Sequence, residues 1–529
     1  MSALALPRPR ALFAAHPQVR RIAAEWLVPV ALAAAVAVWG MRGVSTNEFA
    51  HPDAPRHALN GVLIHDWITQ GHLENPVRFA KRFYSRLPGT SIPYHPPLFP
   101  AVESLFYMAG GVNRLSARLA IAFSAFLAAL LLFWLVRATH GGAGFAALSV
   151  AITFLIPEVQ RDAADVMLEM PSLVFVLAAL WSLRGGKSFG MAQAVPFGLL
   201  AAAAIWTKQQ AVFLIGVPFL MSALARQWRA ILRRPVWLAS GIILASAAAL
   251  VSLTALAGAG DNRQWDPINF VIPFQHLAFY AGGLARENGI VAAVLAGSAL
   301  LFPLVRPTAR NHLYLAWAVS SLALLLVMPP VVERYLFFTY PALAVLACDA
   351  GRRLLPSALP GYARTIAGCA AILLAAFFWL RPPEFVRGPG RAAALVMQNH
   401  PARILYCGFN DGDFLFAVRE LDPGAKTIVI RGDKLPRETF TPQAMERFAR
   451  DYGVEYIVIE RIHYPRKWTR LAEDPAPSMQ WLASVRVASS MHFENGETKV
   501  FRFLRPSPTP KTTLQVRSDL VKSGLQVDF

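Results

Sequence analysis

The sequence predicts an all-α polytopic membrane protein with a smaller α/β domain at its C-terminal end. Hydrophobic residues make up 55% of its 529 residues, charged residues make up only 16%, and the mean hydropathy is +0.41. A soluble protein of this length would carry far more charged surface. Apolar runs of about 16 to 21 residues recur along the chain, close to the roughly 20 residues that cross a ~30 Å hydrocarbon core.

The N-terminal segment, residues 1–23, is basic and directly precedes the first apolar run. This order of parts predicts a cytoplasmic N-terminus followed by an uncleaved signal anchor. A cleaved signal peptide is the alternative, because the run is rich in alanine.

Eleven apolar runs predict about eleven transmembrane helices within a membrane domain of residues 24–381. The runs lie at about 24–42, 116–136, 142–157, 165–183, 190–207, 209–225, 237–257, 289–305, 312–328, 334–350 and 363–381. Two further segments, 96–111 and 269–284, are short and contain polar residues, which suits interfacial or re-entrant helices better than spans. If both of them crossed the membrane, the number of spans would rise to thirteen.

The net charge of +19 is spread over short basic clusters between the apolar runs. Such clusters set the orientation of a membrane protein, so the charge does not predict a nucleic-acid partner. The three cysteines, Cys348, Cys369 and Cys407, do not make a disulfide framework, because two lie in apolar runs and the third is distant.

The charge bias also assigns the two sides of the membrane. If neither ambiguous segment crosses, sixteen basic residues share one side with only two acids, Glu25 and Asp349. These bases are Arg8, Arg10, Arg20, Arg21, Arg137, Arg184, Lys187, Arg226, Arg229, Arg233, Arg234, Arg306, Arg310, Arg352, Arg353 and Arg364. By the positive-inside rule that side is cytoplasmic. We therefore expect a plasma (inner) membrane protein whose first loop, 43–96, and whose chain after 382 are extracytoplasmic.

Residues 382–505 have the pattern of a separate α/β domain on the outer side. Short β-branched runs at 403–407, 427–430 and 456–460 predict strands, and 441–452 has helical spacing. This alternation favours a mainly parallel sheet. Segments 484–490 and 499–504 could add a hairpin, and the Pro-, Ser- and Thr-rich residues 506–529 predict a flexible tail.

The long first outer loop holds the first candidate site residues. A partly desolvated carboxylate just above the membrane is a candidate general base, and both Glu48 and Asp53 lie there. If a helix starts near Pro55, Asp53 could cap it and Arg56 would follow one turn later. Arg56 and His95 beside a carboxylate suit a phosphate-bearing substrate. The alternatives are solvated acids and a salt bridge within the loop.

Histidines are concentrated in the same loop. They are His51, His57, His65, His72 and His95. A metal site with Glu48 or Asp53 is conceivable. However, no two of these histidines have the spacing of a helix-borne metal motif, so we predict neither a metal nor another cofactor.

Further candidates lie at the outer ends of later apolar runs. Glu169 is an ionisable residue at the lip of a run, where such residues are costly and are functional candidates by default. Arg161 and Asp162 precede it and could pair with each other. Lys208 and Arg334 are outer cations that would suit an anionic ligand, although anchoring at the membrane surface explains either of them alone.

At these positions the chain resembles membrane glycosyltransferases of the GT-C fold, in particular those related to protein O-mannosyltransferases and lipid A aminoarabinose transferases. Residues 53–58 read Asp-Ala-Pro-Arg-His-Ala where those transferases have Asp-Glu-Pro-Arg-Tyr-Ala, and 95–98 read His-Pro-Pro-Leu as in the family. Glu169, Lys208 and Arg334 with Tyr335 match its later motifs in order. The resemblance covers the organisation of residues 20–381.

The resemblance implies an inverting glycosyltransferase that uses a polyprenyl-phosphate sugar, such as an undecaprenyl-phosphate sugar, as its donor. The leading Asp of the family motif is catalytic, which points to Asp53 as general base. Ala54 replaces the second acid of the motif, so Glu48 stays open as the alternative base. Lys208 and Arg334, with Arg56 or His95, would stabilise the phosphate. The acceptor could be a protein, a lipid or a glycan of the cell envelope.

Two functions from other classes remain possible on the sequence alone. A transporter or flippase of a lipid-linked or anionic solute would also need many spans and membrane-embedded charge. Such proteins often show repeated halves and broken helices at the midplane, and the sequence shows neither. A noncatalytic scaffold that presents the outer α/β domain is the third interpretation.

Overall fold

The computed structural model describes most of the chain. It covers residues 23–42, 48–71, 73–92, 94–184, 189–256, 272–305, 308–328, 332–355, 361–380, 385–436, 439, 441–461, 478–488, 496–516 and 525–528. The basic segment ahead of residue 23, predicted to be cytoplasmic, lies outside the described residues, as do His72, Lys187 and Arg306.

Helices form most of this structure. They are α1 (Val28–Gly40), α2 (Ala54–Thr69), α3 (Pro76–Arg86), α4 (Leu98–Gly110), α5 (Arg114–His140), α6 (Ala143–Leu155), α7 (Pro157–Ala164), α8 (Glu169–Ser182), α9 (Met191–Ile205), α10 (Gly216–Leu224), α11 (Trp228–Ile231), α12 (Arg234–Leu256), α13 (Ile272–Asn288), α14 (Ile290–Val305), α15 (His312–Val327), α16 (Tyr340–Leu354), α17 (Gly361–Trp379), α18 (Pro389–Met397), α19 (Asp411–Leu421) and α20 (Pro442–Asp451). Short 3₁₀ helices, Gln209–Ile215 and Glu333–Phe338, precede α10 and α16. Each of the eleven predicted apolar runs is helical.

Within the described ranges, three helices are long and apolar enough to cross a membrane: α5, α12 and α15, the last with the turn before it. The pair α6 and α7, bent by 76°, would make a fourth as a broken span. The other apolar helices do not meet both conditions over their described residues, so the total of eleven spans remains a prediction. The two ambiguous segments contain α4 and α13, with 13 and 17 residues. At 1.5 Å per residue both fall short of a ~30 Å core.

Helix α5 connects two separate ends of the helical body. Its 27 residues make it about 40 Å long. At its start Arg114 forms an ion pair with Glu420, beyond the last apolar helix, and near its end Arg137 forms one with Glu25. These two contacts therefore mark opposite ends of the body.

Residues predicted to be cytoplasmic meet at the Arg137 end. His140 hydrogen-bonds Asn311, which donates to Asp349, and Arg353 pairs with the same carboxylate. The prediction that alternate connections between the apolar runs lie on the same side of the membrane agrees with this grouping. Which end faces the cytoplasm remains a prediction.

A five-stranded sheet follows the last apolar helix. Its strands are β1 (Arg403–Cys407), β2 (Ile428–Arg431), β3 (Tyr456–Arg461), β4 (Met479–Val487) and β5 (Gly496–Phe503), in the order β2-β1-β3-β5-β4. Strand β1 pairs in parallel with β2 and β3, and the hairpin β4–β5 is antiparallel. The predicted strands and the helix α20 are thus present. The sheet is mixed and not mainly parallel as predicted, because β5 runs antiparallel to both β3 and β4.

Two differences from the prediction concern the end of the chain. The strand predicted from 484 begins at Met479, because a register shift between Trp481 and Ala483 interrupts the alternation that marks a strand in a sequence. The predicted flexible tail, 506–529, contains two paired strands, β6 (Thr513–Val516) and β7 (Leu525–Asp528). Leu514 of β6 is buried in the core on one face of the sheet, which explains why β6 is ordered.

The sheet joins two hydrophobic cores. In β1, Ile404 and Tyr406 belong to the large core that continues into the helical body, whereas Leu405 and Cys407 belong to a smaller core on the other face. This alternation follows the two-residue period of a strand. The C-terminal region therefore packs directly against the helices, on the side where the first loop lies.

Candidate active site

Asp53 lies at the start of helix α2, at the N-cap position. Pro55 favours helix initiation there, as predicted. The Asp53 side chain does not cap its own helix. Instead, its Oδ2 lies 2.8 Å from Nη2 of Arg334, so the carboxylate points across to the later helices.

Arg334 is the central cation of this site. It lies in the 3₁₀ helix Glu333–Phe338, directly ahead of α16. Besides Asp53, its guanidinium contacts the ring of His51, with Nη1 3.0 Å from Nε2, and its Nε is 4.0 Å from Oε1 of Glu169. Arg334 therefore joins the first loop to the start of α8.

Lys208 is the second cation. It occupies the break between α9 and the 3₁₀ helix Gln209–Ile215, and its Nζ is 2.9 Å from Oε1 of Glu169. Both side chains are buried. Glu169 is the first residue of α8, where the positive end of the helix dipole stabilises a carboxylate. One buried carboxylate thus lies between the two cations.

Two histidines complete the group. The rings of His57, on α2, and His95 meet edge to face with centroids 4.5 Å apart, and the ring of Tyr94 packs on His95 at 4.9 Å. The loop that carries His95 is fixed to the α9 end, because the Leu98 amide donates to the carbonyl of Trp206. Neither the contact of His57 with His95 nor the hydrogen bond from Leu98 to Trp206 could be inferred from sequence spacing.

The electrostatics of the loop residues follow from burial and from Arg334. Burial alone would raise the pKa of the Asp53 carboxyl, but the Arg334 guanidinium and the neighbouring rings of His51, His57 and His95 together outweigh it and hold that pKa well below its usual range. Burial lowers the pKa of His51 to about 4, and it lowers the pKa values of His57 and His95 well below the ordinary value. Near neutral pH, Asp53 is therefore anionic and the three histidines are uncharged.

His51 and Asp165 belong to the site but were not predicted as site residues. The backbone N–H groups of Ala50 and His51 both donate to Oδ2 of Asp165, at 3.0 and 2.7 Å. This fixes the chain just ahead of Asp53 and aims the His51 ring at Arg334. The abundance of histidines in the loop was a signal for His51, whereas Asp165, at the start of an apolar run, has no distinctive pattern.

Two predicted residues of the first loop bind the C-terminal region instead. Oε1 of Glu48 accepts hydrogen bonds from the amides of Gly388 and Gly390, at 3.2 and 2.7 Å, so Glu48 does not join the Arg334 group. Arg56 forms a bidentate pair with Asp411, at 3.0 and 3.1 Å, and not with a site carboxylate. Both predictions treated the loop as a surface for ligands, but the C-terminal region packs on part of it.

Arg161 and Asp162 are close to the site without contacting Asp53. Arg161 forms ion pairs with Glu158 and Glu287 and not, as predicted, with Asp162. Helix α7 directs the two neighbouring side chains away from each other, because successive residues of a helix point about 100° apart. Asp162 is buried, and one of its oxygens has no hydrogen-bond partner among the described residues.

The arrangement combines the carboxylates of Asp53 and Glu169, two cations and neutral imidazole rings at one end of the helical body. Among the described residues, no group of three or more His, Cys, Asp or Glu side chains has the arrangement of a metal site. Arg334 and Lys208 could bind an anion such as a phosphate. Asp53 could take a proton from a group bound beside it.

The comparisons with known proteins agree with this architecture. Residues 94–255 match the family described as dolichyl-phosphate-mannose-protein mannosyltransferase. No curated protein sequence matches the chain. The matched segment includes His95, Glu169 and Lys208 but neither Asp53 nor Arg334.

Solved structures cover more of the chain. ArnT from Cupriavidus metallidurans in the apo state superposes with a TM-score of 0.55 at 16% identity, over 91% of this chain and 99% of that one. ArnT bound to undecaprenyl phosphate gives 0.51 at 14% identity, over 89% and 97%. The archaeal oligosaccharyltransferase AglB from Archaeoglobus fulgidus gives 0.49 at 12%, over 88% and 74%. The GT-C fold implied by the motif resemblance is confirmed.

Proposed function

We propose that this protein is an inverting glycosyltransferase that moves a sugar from a polyprenyl-phosphate donor to an acceptor hydroxyl outside the cytoplasm. The observation that carries the proposal is the contact of Asp53 with Arg334. Glu169 in turn links Arg334 to Lys208. A base and an anion site are thus adjacent, as transfer of a sugar away from a phosphate requires. The fold shared with ArnT, solved with undecaprenyl phosphate, supports this choice of donor.

The donor phosphate would bind Arg334 and Lys208. A guanidinium can hold two phosphate oxygens at once, and an ammonium adds a compact charge. Both cations lie at the end of a helical body whose outer surface exposes apolar side chains, among them Leu199, Leu244 and Phe274. The prenyl chain would lie along such surfaces, within the membrane.

Asp53 would act as the general base. It takes the proton of the acceptor hydroxyl as the oxygen attacks the anomeric carbon, and the bond from that carbon to the phosphate oxygen breaks with inversion. The phosphate leaves as an anion that the cations stabilise. While Arg334 pairs with Asp53, it depresses the carboxyl pKa. A bound phosphate would compete for Arg334, and Asp53 would then become a stronger base.

Glu169 would position the two cations and would not serve as the base. Its carboxylate is fully buried and already paired with Lys208, which leaves no room for an acceptor hydroxyl beside it. A carboxylate between two cations also limits their mutual repulsion before the donor binds.

The test is sugar transfer by purified full-length protein in lipid vesicles. Candidate radiolabelled polyprenyl-phosphate sugars are supplied with candidate acceptors, and loss of label from the lipid is measured. We expect Asp53→Asn to reduce transfer by about 10²- to 10⁴-fold, the usual contribution of a general base. Its thermal midpoint should stay within a few degrees of that of the wild-type protein.

The matched control is Asp451→Asn, which removes a carboxylate that is exposed and paired only at the surface. This variant should transfer sugar at the wild-type rate. Near-normal transfer by a folded Asp53→Asn protein would refute the assignment of Asp53 as base. Failure of the wild-type protein to release label from any polyprenyl-phosphate sugar would refute the proposed activity.

A further inference from the structure

Two buried histidine rings next to the cations hold polar atoms without partners. The rings of His57 and His95 are 4.5 Å apart and nearly perpendicular. Both ring nitrogens of His57 and Nδ1 of His95 are buried and make no hydrogen bond within the described structure. Buried polar atoms are nearly always paired in folded proteins. Three unpaired nitrogens in one place therefore point to a ligand that supplies the missing partners.

The chemistry of these nitrogens defines the ligand. Burial lowers the pKa values of both rings well below the ordinary value, so each imidazole is neutral near pH 7. A neutral imidazole offers one N–H donor and one acceptor nitrogen. It adds no positive charge for a phosphate, but it matches a hydroxyl group, which also donates and accepts.

The position of the two histidine rings within the site indicates which part of the substrate carries the hydroxyl groups that they would bind. His57 lies one turn after Asp53 on α2, and its amide donates to the Asp53 carbonyl at 3.0 Å. The ring pair is thus next to the base, where the proposed reaction needs the anomeric carbon. In a lipid-linked donor the sugar is bonded directly to the phosphate, which Lys208 and Arg334 would hold on the adjacent side.

We infer that His57 and His95 form a subsite that binds hydroxyl groups of the donor sugar, separate from the phosphate subsite of Lys208 and Arg334. The inference rests on the proposed function and extends it. It also replaces the predicted role of His95 as a phosphate ligand. The subsite would let the protein distinguish a sugar-loaded lipid from the spent lipid phosphate.

The test compares two ligands on the purified full-length protein: bare undecaprenyl phosphate, and a panel of undecaprenyl-phosphate hexoses and pentoses. His57→Phe and His95→Phe keep a ring in place but remove its nitrogens. We expect the Kd of the preferred sugar-loaded lipid to rise about five- to tenfold, the value of one neutral hydrogen bond. The Kd of the bare lipid should not change.

Three further variants make the comparison decisive. Arg334→Ala should weaken binding of both lipids, because it removes a phosphate ligand. His140→Phe, at the opposite end of α5, should leave both Kd values unchanged. His95→Lys introduces a cation and should weaken only the sugar-loaded lipid, whereas a phosphate role for His95 predicts tighter binding of both lipids. A ring variant that lacks a cooperative thermal transition is replaced by His57→Asn or His95→Asn.

Equal weakening of both lipids by the folded histidine variants would overturn the sugar subsite, and so would unchanged binding of both. A wild-type protein that binds the bare lipid with no preference for any sugar-loaded lipid would overturn the subsite and leave the phosphate site intact. A wild-type protein that binds neither lipid would overturn the proposed function together with the subsite.

Discussion

Asp53 shows how the start of a helix can present a carboxylate to a ligand. Aspartate is a favoured N-cap residue because its side chain accepts hydrogen bonds from the first free amides of the helix. Here it makes no such bond and pairs with Arg334 instead. The nearby helix N-terminus and the guanidinium both stabilise the ionised form. The carboxylate is therefore charged and positioned before any substrate arrives.

Glu48, the other candidate base of the first loop, has a pKa that is shifted in the opposite direction from that of Asp53. Burial raises its pKa from the ordinary 4.5 to about 7, although Arg114 and two backbone amides partly oppose the shift. Between these two pH values the folded chain holds a proton that the unfolded chain releases. The free energy of unfolding should therefore decrease as the pH rises through this window, and the decrease should end above it.

Glu48→Gln tests this residue. Glutamine has nearly the same shape and can still accept from the amides of Gly388 and Gly390, but it does not ionise. We expect its thermal midpoint to vary less than that of the wild-type protein between about pH 5 and pH 7. Glu446→Gln, at a partly exposed pair with Arg450, is the control and should keep the wild-type pH dependence. If the thermal midpoint of Glu48→Gln changed with pH as steeply as that of the wild-type protein, the buried Glu48 carboxyl would not be the source of the pH dependence.

At the scale of elements, the contact between α2 and α4 holds the start of α2 in place. The two helices meet closely where Gly61 faces Glu103, which is fully buried and accepts a hydrogen bond from the Tyr107 hydroxyl. Tyr107 also donates to the Ala58 carbonyl on α2. A Cβ at position 61 would lie 2.8 Å from Cδ of Glu103, closer than real Cβ atoms come.

We therefore expect Gly61→Ala to lower the free energy of unfolding by about 1–3 kcal/mol, the usual cost of overpacking a core. The buried carboxyl of Glu103 cannot move away into solvent, so the helices must separate. Gly297→Ala on α14 is the matched control, because nothing lies within 4 Å of the added methyl group. That variant should be slightly stabilised by the better helix propensity of alanine. Equal thermal midpoints of the two variants would argue against close packing at Gly61.

At the scale of the whole molecule, ion pairs attach the C-terminal region to the first loop. The guanidinium of Arg419, on α19, binds both oxygens of Asp66 on α2, at 2.7 and 3.0 Å, and both side chains are buried. Arg56 and Asp411 form a second pair between the same two regions. Helix α2 is therefore held at its start by the pair of Asp53 with Arg334, and farther along by its ion pairs with the C-terminal region.

Removing one partner of the buried pair should be costly. We expect Arg419→Met to destabilise the protein by about 3–5 kcal/mol, because the Asp66 carboxylate stays buried without its counter-ion. The double variant Asp66→Leu with Arg419→Met should recover part of this loss. Lys511→Met, which breaks the exposed pair with Asp451, should change the free energy of unfolding little. Similar thermal midpoints for Arg419→Met and Lys511→Met would show that the buried pair does not join the two regions.

The sequence by itself determined the helical class, the positions of the apolar helices and of the strands β1 to β3, and the first candidates for the site. These features depend on local patterns: apolar runs, two-residue alternation, and ionisable residues at the ends of apolar runs. Asp53, Glu169, Lys208 and Arg334 were identified in this way. His57 and His95 were identified from the concentration of histidines in the first loop and from the family resemblance.

Only the tertiary structure decided which of these residues act together. The contact of Arg334 with Asp53 joins positions 281 residues apart, and local patterns carry no information about such pairing. The structure also directed Glu48 and Arg56 to the C-terminal region, and it brought in Asp165 through backbone amides that any residue could supply. A sequence shows which side chains can ionise, but their partners, their burial and hence their chemistry depend on how distant segments pack.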